Sequence, residues 1–413
     1  MKNRRDHIQD GMAEALRLTR AGRLTEATEL IQRTLGGVLN KSGPGASDDS
    51  AAEPSEVIEA EYRVHDEDNP SSSDIAARST VSGDAAPSAE RPVTPLVEEW
   101  EIPGSRRSTR RRKITSADPP EVSSDGARGR FIDGSFTNEA GTRAYKLYIP
   151  SAYVGQPLPL VVMLHGCTQS SADFAAGTRM NVLAEKEKFL VVYPEQPRKA
   201  NVSKCWNWFE TTNQKRSVGE PSLIAGITRE IMSTYRLSSE SVYVVGMSAG
   251  GAMAAIMAAT YPELYAAVGV HSGLSYGAAH NLRSGFKAMR KGVPRHKRKL
   301  RKVIPLIMFH GDHDTTVAKV NADNMRDQWL QAFENGGRPK GEQKVERGMA
   351  GGHTYTRSTY QDADGRVILE EWIIHHAGHA WSGGSSNGSY TDSKGPDASA
   401  EIVRFLRKHS NAC

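Results

Sequence analysis

The pentapeptide Gly246-Met247-Ser248-Ala249-Gly250 follows the apolar run of residues 242–245 and precedes the helix-like stretch of residues 252–261. A strand, a tight turn of small residues and a helix, in this order, form the context in which a G-x-S-x-G turn raises a serine hydroxyl above the end of a sheet. A serine hydroxyl is a poor nucleophile at neutral pH, so it needs a neighbouring base and backbone N–H donors to react. The segment therefore predicts a strained strand-to-helix turn with Ser248 as the candidate nucleophile.

The chain alternates strand-like and helix-like stretches from Arg130 onward. Predicted strands cover residues 144–149, 160–164, 190–193, 242–245, 266–270, 303–309 and 367–374, and predicted helices cover residues 179–188, 222–235, 320–334 and 400–409. Short apolar strands that alternate with helices predict an α/β fold with a mostly parallel sheet and helices on both faces. In such a sheet the functional groups gather at the carboxyl ends of the strands.

Composition divides the chain into three parts. Hydrophobic residues make up 38% of the chain and the mean hydropathy is -0.53. The apolar deficit is concentrated in residues 39–128, which cannot bury enough surface to offset the entropy of ordering and are predicted to be a disordered linker. Residues 1–38 show apolar spacing with a break at Ala21-Gly22, which predicts an amphipathic helical hairpin that docks on protein or on an apolar particle surface. Residues 129–413 are the predicted α/β domain.

Charge and hydropathy argue against several functions. The basic block of residues 106–113 follows an acidic stretch, which indicates a solvated tether, with contact to an anionic surface or nucleic acid as the alternative. The net charge of +5 comes without a recognition motif, so we expect no nucleic-acid partner. No apolar segment follows the basic amino terminus, so no secretory signal is predicted and a cytoplasmic location is favoured. No apolar run approaches the roughly 18 residues of a membrane helix.

The three cysteines, Cys167, Cys205 and Cys413, do not form a disulfide framework for a chain of this length, and their spacing matches no metal site. Cys167 and Cys205 both fall in segments that are expected to border the site. A bridge between them is one hypothesis, and two free thiols are the other.

The loop His165-Gly166-Cys167-Thr168 follows the predicted strand of residues 160–164. In a sheet of this kind, one N–H donor for an oxyanion comes from an early strand-to-helix loop and the other from the residue after the nucleophile. The backbone N–H groups of Cys167 and Ala249 are therefore the predicted donors. His165 is expected to hold the loop through hydrogen bonds, with direct catalysis as the alternative.

The acid and the base of a proton relay are expected after the nucleophile in the chain order Ser, Asp, His. Asp314 follows the predicted strand of residues 303–309 at a distance that gives it reach, whereas Asp312 is expected to cap the turn. His375 and His376 extend an apolar strand, while His379 lies beyond it in a glycine-rich loop. Asp314 and His379 are therefore the predicted orienting acid and general base.

Aromatic residues near these motifs are candidates for substrate contact. Trp206 and Trp208 are two residues apart, so in an irregular loop both can line a groove, while the alternative is that one is core and one faces the substrate. Trp381 follows the predicted base and is a third candidate. The dense Lys and Arg of residues 290–302 are expected to form a solvated surface insertion.

Five ordered motifs, in residues 164–169, 205–209, 246–251, 310–317 and 379–384, resemble the esterase family of polyhydroxybutyrate depolymerases, an α/β-hydrolase group. The resemblance implies a serine esterase that acts on short-chain 3-hydroxyalkanoate polyesters or oligomers through an acyl-enzyme intermediate, with no cofactor and no metal. It matches Ser248, Asp314 and His379 to the family's triad and Cys167 to its oxyanion loop.

The same resemblance leaves other functions open. Relatives in the family cut acetyl or feruloyl esters of polysaccharides, and a serine peptidase is a more remote possibility because a triad fixes acyl transfer but not the acyl group. Secreted polymer-degrading members usually carry a signal peptide and a carboxyl-terminal substrate-binding domain, and neither is visible here, which favours stored granules or soluble oligomers. From another class, the alternative is a catalytically inactive protein of the granule surface.

Overall fold

The computed structural model describes residues 129–293, 300, 302–337 and 340–410, together with the isolated residues 14 and 30. The predicted hairpin of residues 1–38, apart from those two residues, lies outside the described part of the chain, as do the predicted linker of residues 39–128 and Cys413. None of the described helices is long and apolar enough to cross a lipid bilayer.

The described elements follow one another as an α/β chain. The strands are β1 (Arg130–Asn138), β2 (Gly141–Ile149), β3 (Leu160–Leu164), β4 (Leu190–Pro194), β5 (Val242–Met247), β6 (Ala267–His271), β7 (Leu306–Gly311), β8 (Lys340–Ala350), β9 (His353–Asp362), β10 (Val367–Ile374), β11 (Trp381–Ser382) and β12 (Thr391–Asp392). The helices are α1 (Ser171–Thr178), α2 (Met180–Glu187), α3 (Gly219–Thr234), α4 (Ala249–Thr260), α5 (Leu282–Lys291), α6 (Val320–Asn335) and α7 (Ala398–Leu406).

The sheet has the strand order β1-β2-β4-β3-β5-β6-β7-β10-β9-β8. Strands β4, β3, β5, β6, β7 and β10 pair in parallel, and antiparallel pairs complete both edges. The predicted α/β fold with a mostly parallel sheet is thereby confirmed. The antiparallel strands β1, β8 and β9 were not predicted, because they are polar and half-exposed and lack the continuous apolar runs of the central strands.

Alternate residues of the central strands pack on opposite faces of the sheet. In β3, Leu160, Val162 and Leu164 join the core cluster on one face, and Val161 and Met163 join the cluster on the other. Helices α3, α4 and α6 cover the first face, while α1, α2 and α7 cover the second. All five residues of β3 are buried, so the sheet forms the rigid centre from which the loops at its carboxyl edge project.

Candidate active site

The turn after β5 holds Ser248 in a backbone conformation with φ 55° and ψ -120°. A positive φ is strained for a residue with a Cβ, and such strain is typical of a nucleophile elbow. The two glycines of this turn have no room for a side chain. A Cβ at Gly246 would lie 2.2 Å from the Gly250 carbonyl oxygen, and a Cβ at Gly250 would lie 2.0 Å from the Leu164 carbonyl oxygen. The turn therefore packs α4 directly against the ends of β3 and β5.

Asp314 and His379 form a hydrogen-bonded pair beside this turn. The Nδ1–H of His379 donates to Oδ2 of Asp314 at 2.7 Å. The other carboxylate oxygen, Oδ1, accepts from the backbone N–H groups of Thr316 and Val317 at 2.9 and 2.8 Å. The Asp314 side chain is fully buried and the His379 side chain is 10% exposed. These contacts therefore fix the orientation of the His379 ring. Its Nε2 is the nitrogen that is left for a substrate or nucleophile.

Burial by itself would raise the pKa of the Asp314 carboxyl. The neighbouring His379 and His310 rings and the Val317 N–H outweigh burial and lower the pKa to about 2. Asp314 is therefore ionised throughout the neutral range. A buried anion of this kind fixes the tautomer of the imidazole that donates to it.

The Ser248 hydroxyl makes no hydrogen bond with any residue that the structure describes, His379 included. Its backbone N–H donates to the His271 carbonyl oxygen at 2.9 Å, which fixes the turn. Both Ser248 and His379 border the same cavity, so they share access to one bound molecule. Catalytic hydrogen bonds are often long without substrate and shorten in the bound complex.

The loop after β3 lies against the nucleophile turn. A Cβ at Gly166 would lie 3.6 Å from Cβ of Ser248. His165 is fully buried and holds this loop, because its Nε2 accepts from the Gln196 N–H at 3.0 Å and its Nδ1–H donates to the Gly166 carbonyl oxygen at 2.8 Å. Burial lowers the pKa of His165 to about 4, which keeps the ring neutral. His165 does not border the cavity, so the geometry favours the holding role over direct catalysis.

The two predicted oxyanion donors border the cavity beside Ser248. Neither the Cys167 N–H nor the Ala249 N–H donates to an acceptor within the described part of the chain. Cys167 and Cys205 are joined by a disulfide, so the structure contains the bridge that the sequence left open. The bridge ties the loop after β3 to the segment that carries Trp208.

The cavity at the carboxyl edge of the sheet has a volume of about 750 Å³. One wall is apolar and includes Trp208, Phe209, Leu274, Phe286 and Met289. A concave, largely apolar site with a few converging polar groups is the usual form of a small-molecule site. The volume and the lining suit an acyl or alkyl chain next to Ser248.

The three predicted tryptophan contacts differ in the structure. Trp208 borders the cavity, so it alone of the three is placed to touch a substrate there. Trp206 is fully buried with its ring against His165, at a centroid distance of 5.7 Å. Trp381 is 1% exposed, stacks on His271 and donates from Nε1 to Ser399 Oγ at 3.0 Å. The predicted substrate contact of Trp206 and Trp381 is therefore not found in the structure, because both rings lie in the core.

Asp312 does not cap its turn as expected, since Asp314 accepts the turn N–H groups itself. Asp312 instead accepts from the Nδ1–H of His375 at 2.8 Å and from the backbone N–H of His376 at 2.6 Å. The His375 Nε2 lies 2.9 Å from Thr356 Oγ1. This network ties the turn after β7 to the loop after β10, so it holds the Asp314 turn beside the His379 loop. The aspartate and histidine lie 63 residues apart, and no local sequence signal reports such a contact.

His271 links the nucleophile turn to the segment after His379. Its Nε2 accepts from the Ser382 N–H at 3.1 Å, and its ring stacks between Phe309 and Trp381. Burial lowers the pKa of His271 to about 3, with smaller contributions from His310 and His379. The ring is therefore neutral and acts as a buried connector.

Helix α5 was missed by the sequence analysis. Leu282, Phe286 and Met289, spaced i, i+4 and i+7, line the cavity and are the signal that could have found it.

Within the described residues, no cluster of three His, Cys, Asp or Glu side chains is arranged to hold a metal ion.

The sheet order, the strained elbow and the aspartate–histidine pair define the α/β-hydrolase class of fold, in which the order along the chain is serine, acid, histidine. Residues 143–346 match the model of the Esterase PHB depolymerase family. The matched residues belong to this family of esterases.

Individual relatives agree with the family. The chain is 31% identical over 257 residues to poly(3-hydroxyalkanoate) depolymerase C of Paucimonas lemoignei, with 59% of each chain covered. It is 28% identical to a probable acetylxylan esterase A of Aspergillus fumigatus, with 54% of this chain and 61% of the relative covered. The chain thus spans about three fifths of the length of these curated relatives.

The fold also matches a solved structure. The acetyl xylan esterase from Aspergillus awamori superposes with a TM-score of 0.50 at 23% identity, covering 60% of this chain and 94% of that chain. At this identity the likeness bears on the fold alone.

Proposed function

We propose that this protein is a serine esterase that hydrolyses short-chain 3-hydroxyalkanoate polyesters or their oligomers. The observation that carries the proposal is the buried Asp314–His379 pair, whose histidine borders the same cavity as a serine on a strained elbow. The family match and the name of the Paucimonas lemoignei relative support this substrate class. The apolar cavity wall offers contact area for an alkanoate chain.

The reaction proceeds through two acyl transfers. The Nε2 of His379 accepts the Ser248 proton as Oγ attacks the ester carbonyl, and the N–H groups of Cys167 and Ala249 stabilise the oxyanion. His379 then returns the proton to the leaving alcohol, which leaves an acyl group on Ser248. Water, deprotonated by His379, hydrolyses that ester and restores the serine. Asp314 orients the ring and stabilises the imidazolium in both steps.

A second candidate is an esterase that removes acetyl or feruloyl groups from polysaccharides. The names of several relatives favour it, including the acetylxylan esterases and the feruloyl esterase B of Neurospora crassa. The triad chemistry is the same for both candidates, and the difference lies in what occupies the cavity. Acid release from 3-hydroxybutyrate oligomers and from acetylated xylan, measured side by side, separates the two, because one substrate should be turned over much faster.

The catalytic assignment is tested on a short p-nitrophenyl ester. Ser248→Ala should lower kcat/KM by on the order of 10³-fold or more. Ser233→Ala, at an exposed position on α3, is the matched control and should retain the wild-type rate. Equal turnover by wild type and Ser248→Ala would refute the assignment and favour a catalytically inactive protein of the granule surface.

A further inference from the structure

Helix α5 presents one continuous stripe to the cavity. Leu282, Phe286 and Met289 line it at i, i+4 and i+7, and Arg290 at i+8 continues the same stripe and also lines the cavity. The stripe therefore runs from apolar side chains to a guanidinium. A ligand that lies along it meets hydrophobic contact first and a positive charge at the end.

The charged side chains of α5 are all positive. The helix carries Arg283, Lys287, Arg290 and Lys291, all exposed, and the sequence of residues 282–302 contains no Asp or Glu. Glu210 is also among the lining residues, and its carboxylate accepts a hydrogen bond from Asn213 Nδ2 at 2.8 Å. Positive charge at the mouth of a low-dielectric cavity raises the local concentration of anions. The basic stretch that the sequence analysis expected to be solvated thus begins at the cavity wall.

The end of α5 that carries Arg290 is fixed beside the turn of the acid. The Met289 carbonyl oxygen accepts from the Ala318 N–H at 2.7 Å and from Asn321 Nδ2 at 3.0 Å. Residues 316 and 317 of the same turn line the cavity with Arg290. The helix end that carries Arg290 therefore lies on the side of the cavity where the Asp314–His379 pair lies.

We propose that Arg290 binds a carboxylate of the substrate, so that the site acts on free-acid oligomers of 3-hydroxyalkanoates. This inference rests on the proposed function and specifies its substrate. In such an oligomer the last unit carries a carboxylate one methylene away from the carbon that bears the ester oxygen. The scissile ester and the carboxylate are thus close enough to share one cavity, and the terminal hydroxyacid is the leaving alcohol.

A guanidinium suits this role because it presents five N–H donors in a planar fork and binds carboxylates in a bidentate manner. Arg290 already makes an interaction within the protein. Hydrolysis then consumes one water and releases a free 3-hydroxyacid together with an oligomer that ends in a new carboxylate.

The test compares the free acid and the methyl ester of a 3-hydroxybutyrate trimer, which differ in the terminal charge. Wild-type enzyme should hydrolyse the free acid with roughly tenfold higher kcat/KM, as expected for loss of one hydrogen bond to a charged group. Arg290→Gln should reduce that ratio to near one. Lys291→Gln is the matched control, because Lys291 lies in the same last turn of α5 and does not line the cavity. It should keep the ratio.

The outcomes separate this inference from the proposed function. If the wild-type enzyme hydrolyses a p-nitrophenyl ester but shows no preference between the two trimers, the esterase assignment stands and the carboxylate contact is refuted. An equal loss of preference in both variants also refutes it, because the general field of the helix would then be responsible. If the wild-type protein fails to hydrolyse every ester tested, the proposed function itself is overturned.

Discussion

The Cys167–Cys205 disulfide closes a loop across the wall of the cavity, so its removal should affect both stability and rate. The two cysteines are 38 residues apart in the sequence. The chain-entropy relation for a closed loop of this length gives about 13 cal/mol/K, or about 4 kcal/mol at 25 °C. Cys205→Ala should therefore lower the free energy of unfolding by up to about 4 kcal/mol.

The rate should fall because Cys167 is a predicted oxyanion donor through its backbone. The Thr168 N–H also donates to the Ser203 carbonyl oxygen at 2.7 Å, so a second link to the same segment survives in the variant. We expect kcat to fall about tenfold, less than the 10²- to 10³-fold cost of deleting a donor outright. The KM should change less than kcat, because the side chains of the apolar wall, Trp208 included, are not substituted.

The assays are urea unfolding followed by tryptophan fluorescence, and steady-state kinetics on a p-nitrophenyl ester. Wild-type protein treated with reductant should resemble Cys205→Ala, while reductant should leave the variant unchanged. A loss of unfolding free energy below about 1 kcal/mol would refute the loop-closure reasoning. An unchanged kcat would refute the link between the bridge and the oxyanion loop.

Three further changes test the roles assigned to single side chains. Trp208→Ala should raise KM for 3-hydroxybutyrate oligomers roughly tenfold more than for p-nitrophenyl acetate, because the ring lines the cavity; equal effects in the two assays would indicate a packing role. Asp312→Asn should lower kcat roughly tenfold with KM retained, because it loosens the loop of the base; a rise in KM with kcat unchanged would contradict a positioning role. The lowered pKa of His271 means that below about pH 6.5 the unfolded chain binds a proton at this ring and the folded chain does not, so this ring should contribute about 3 kcal/mol to the fall in wild-type stability between pH 6.5 and 4. In urea unfolding at both pH values His271→Gln should show a smaller fall, and an identical fall would exclude this origin.

The sequence predicted the parts of the fold that depend on local pattern. The buried strands β3 and β5 are continuous apolar runs, and the elbow combines such a run with small residues at fixed positions, so both could be recognised without tertiary information. Strand β8 alternates charged residues at an exposed edge and gave no comparable signal.

Contacts in the site between segments that are distant in the sequence could not be predicted in this way. Asp312 and Asp314 have the same residue type two positions apart, and their different roles follow from which residue of the β10 loop each one meets. Trp206 and Trp208 differ in the same way, since one ring packs on His165 and the other faces the cavity. Chain order indicated which groups to consider, but their packing partners come from the three-dimensional arrangement.

Helix α5 is anchored to the acid turn through the main-chain oxygen of Met289 rather than through a side chain. Any residue supplies that oxygen, so the residues along the stripe are free to change in size and polarity without disturbing the anchor. Evolution or protein engineering can therefore alter which esters are accepted by substituting this helix face, while the residues that break the bond stay as they are.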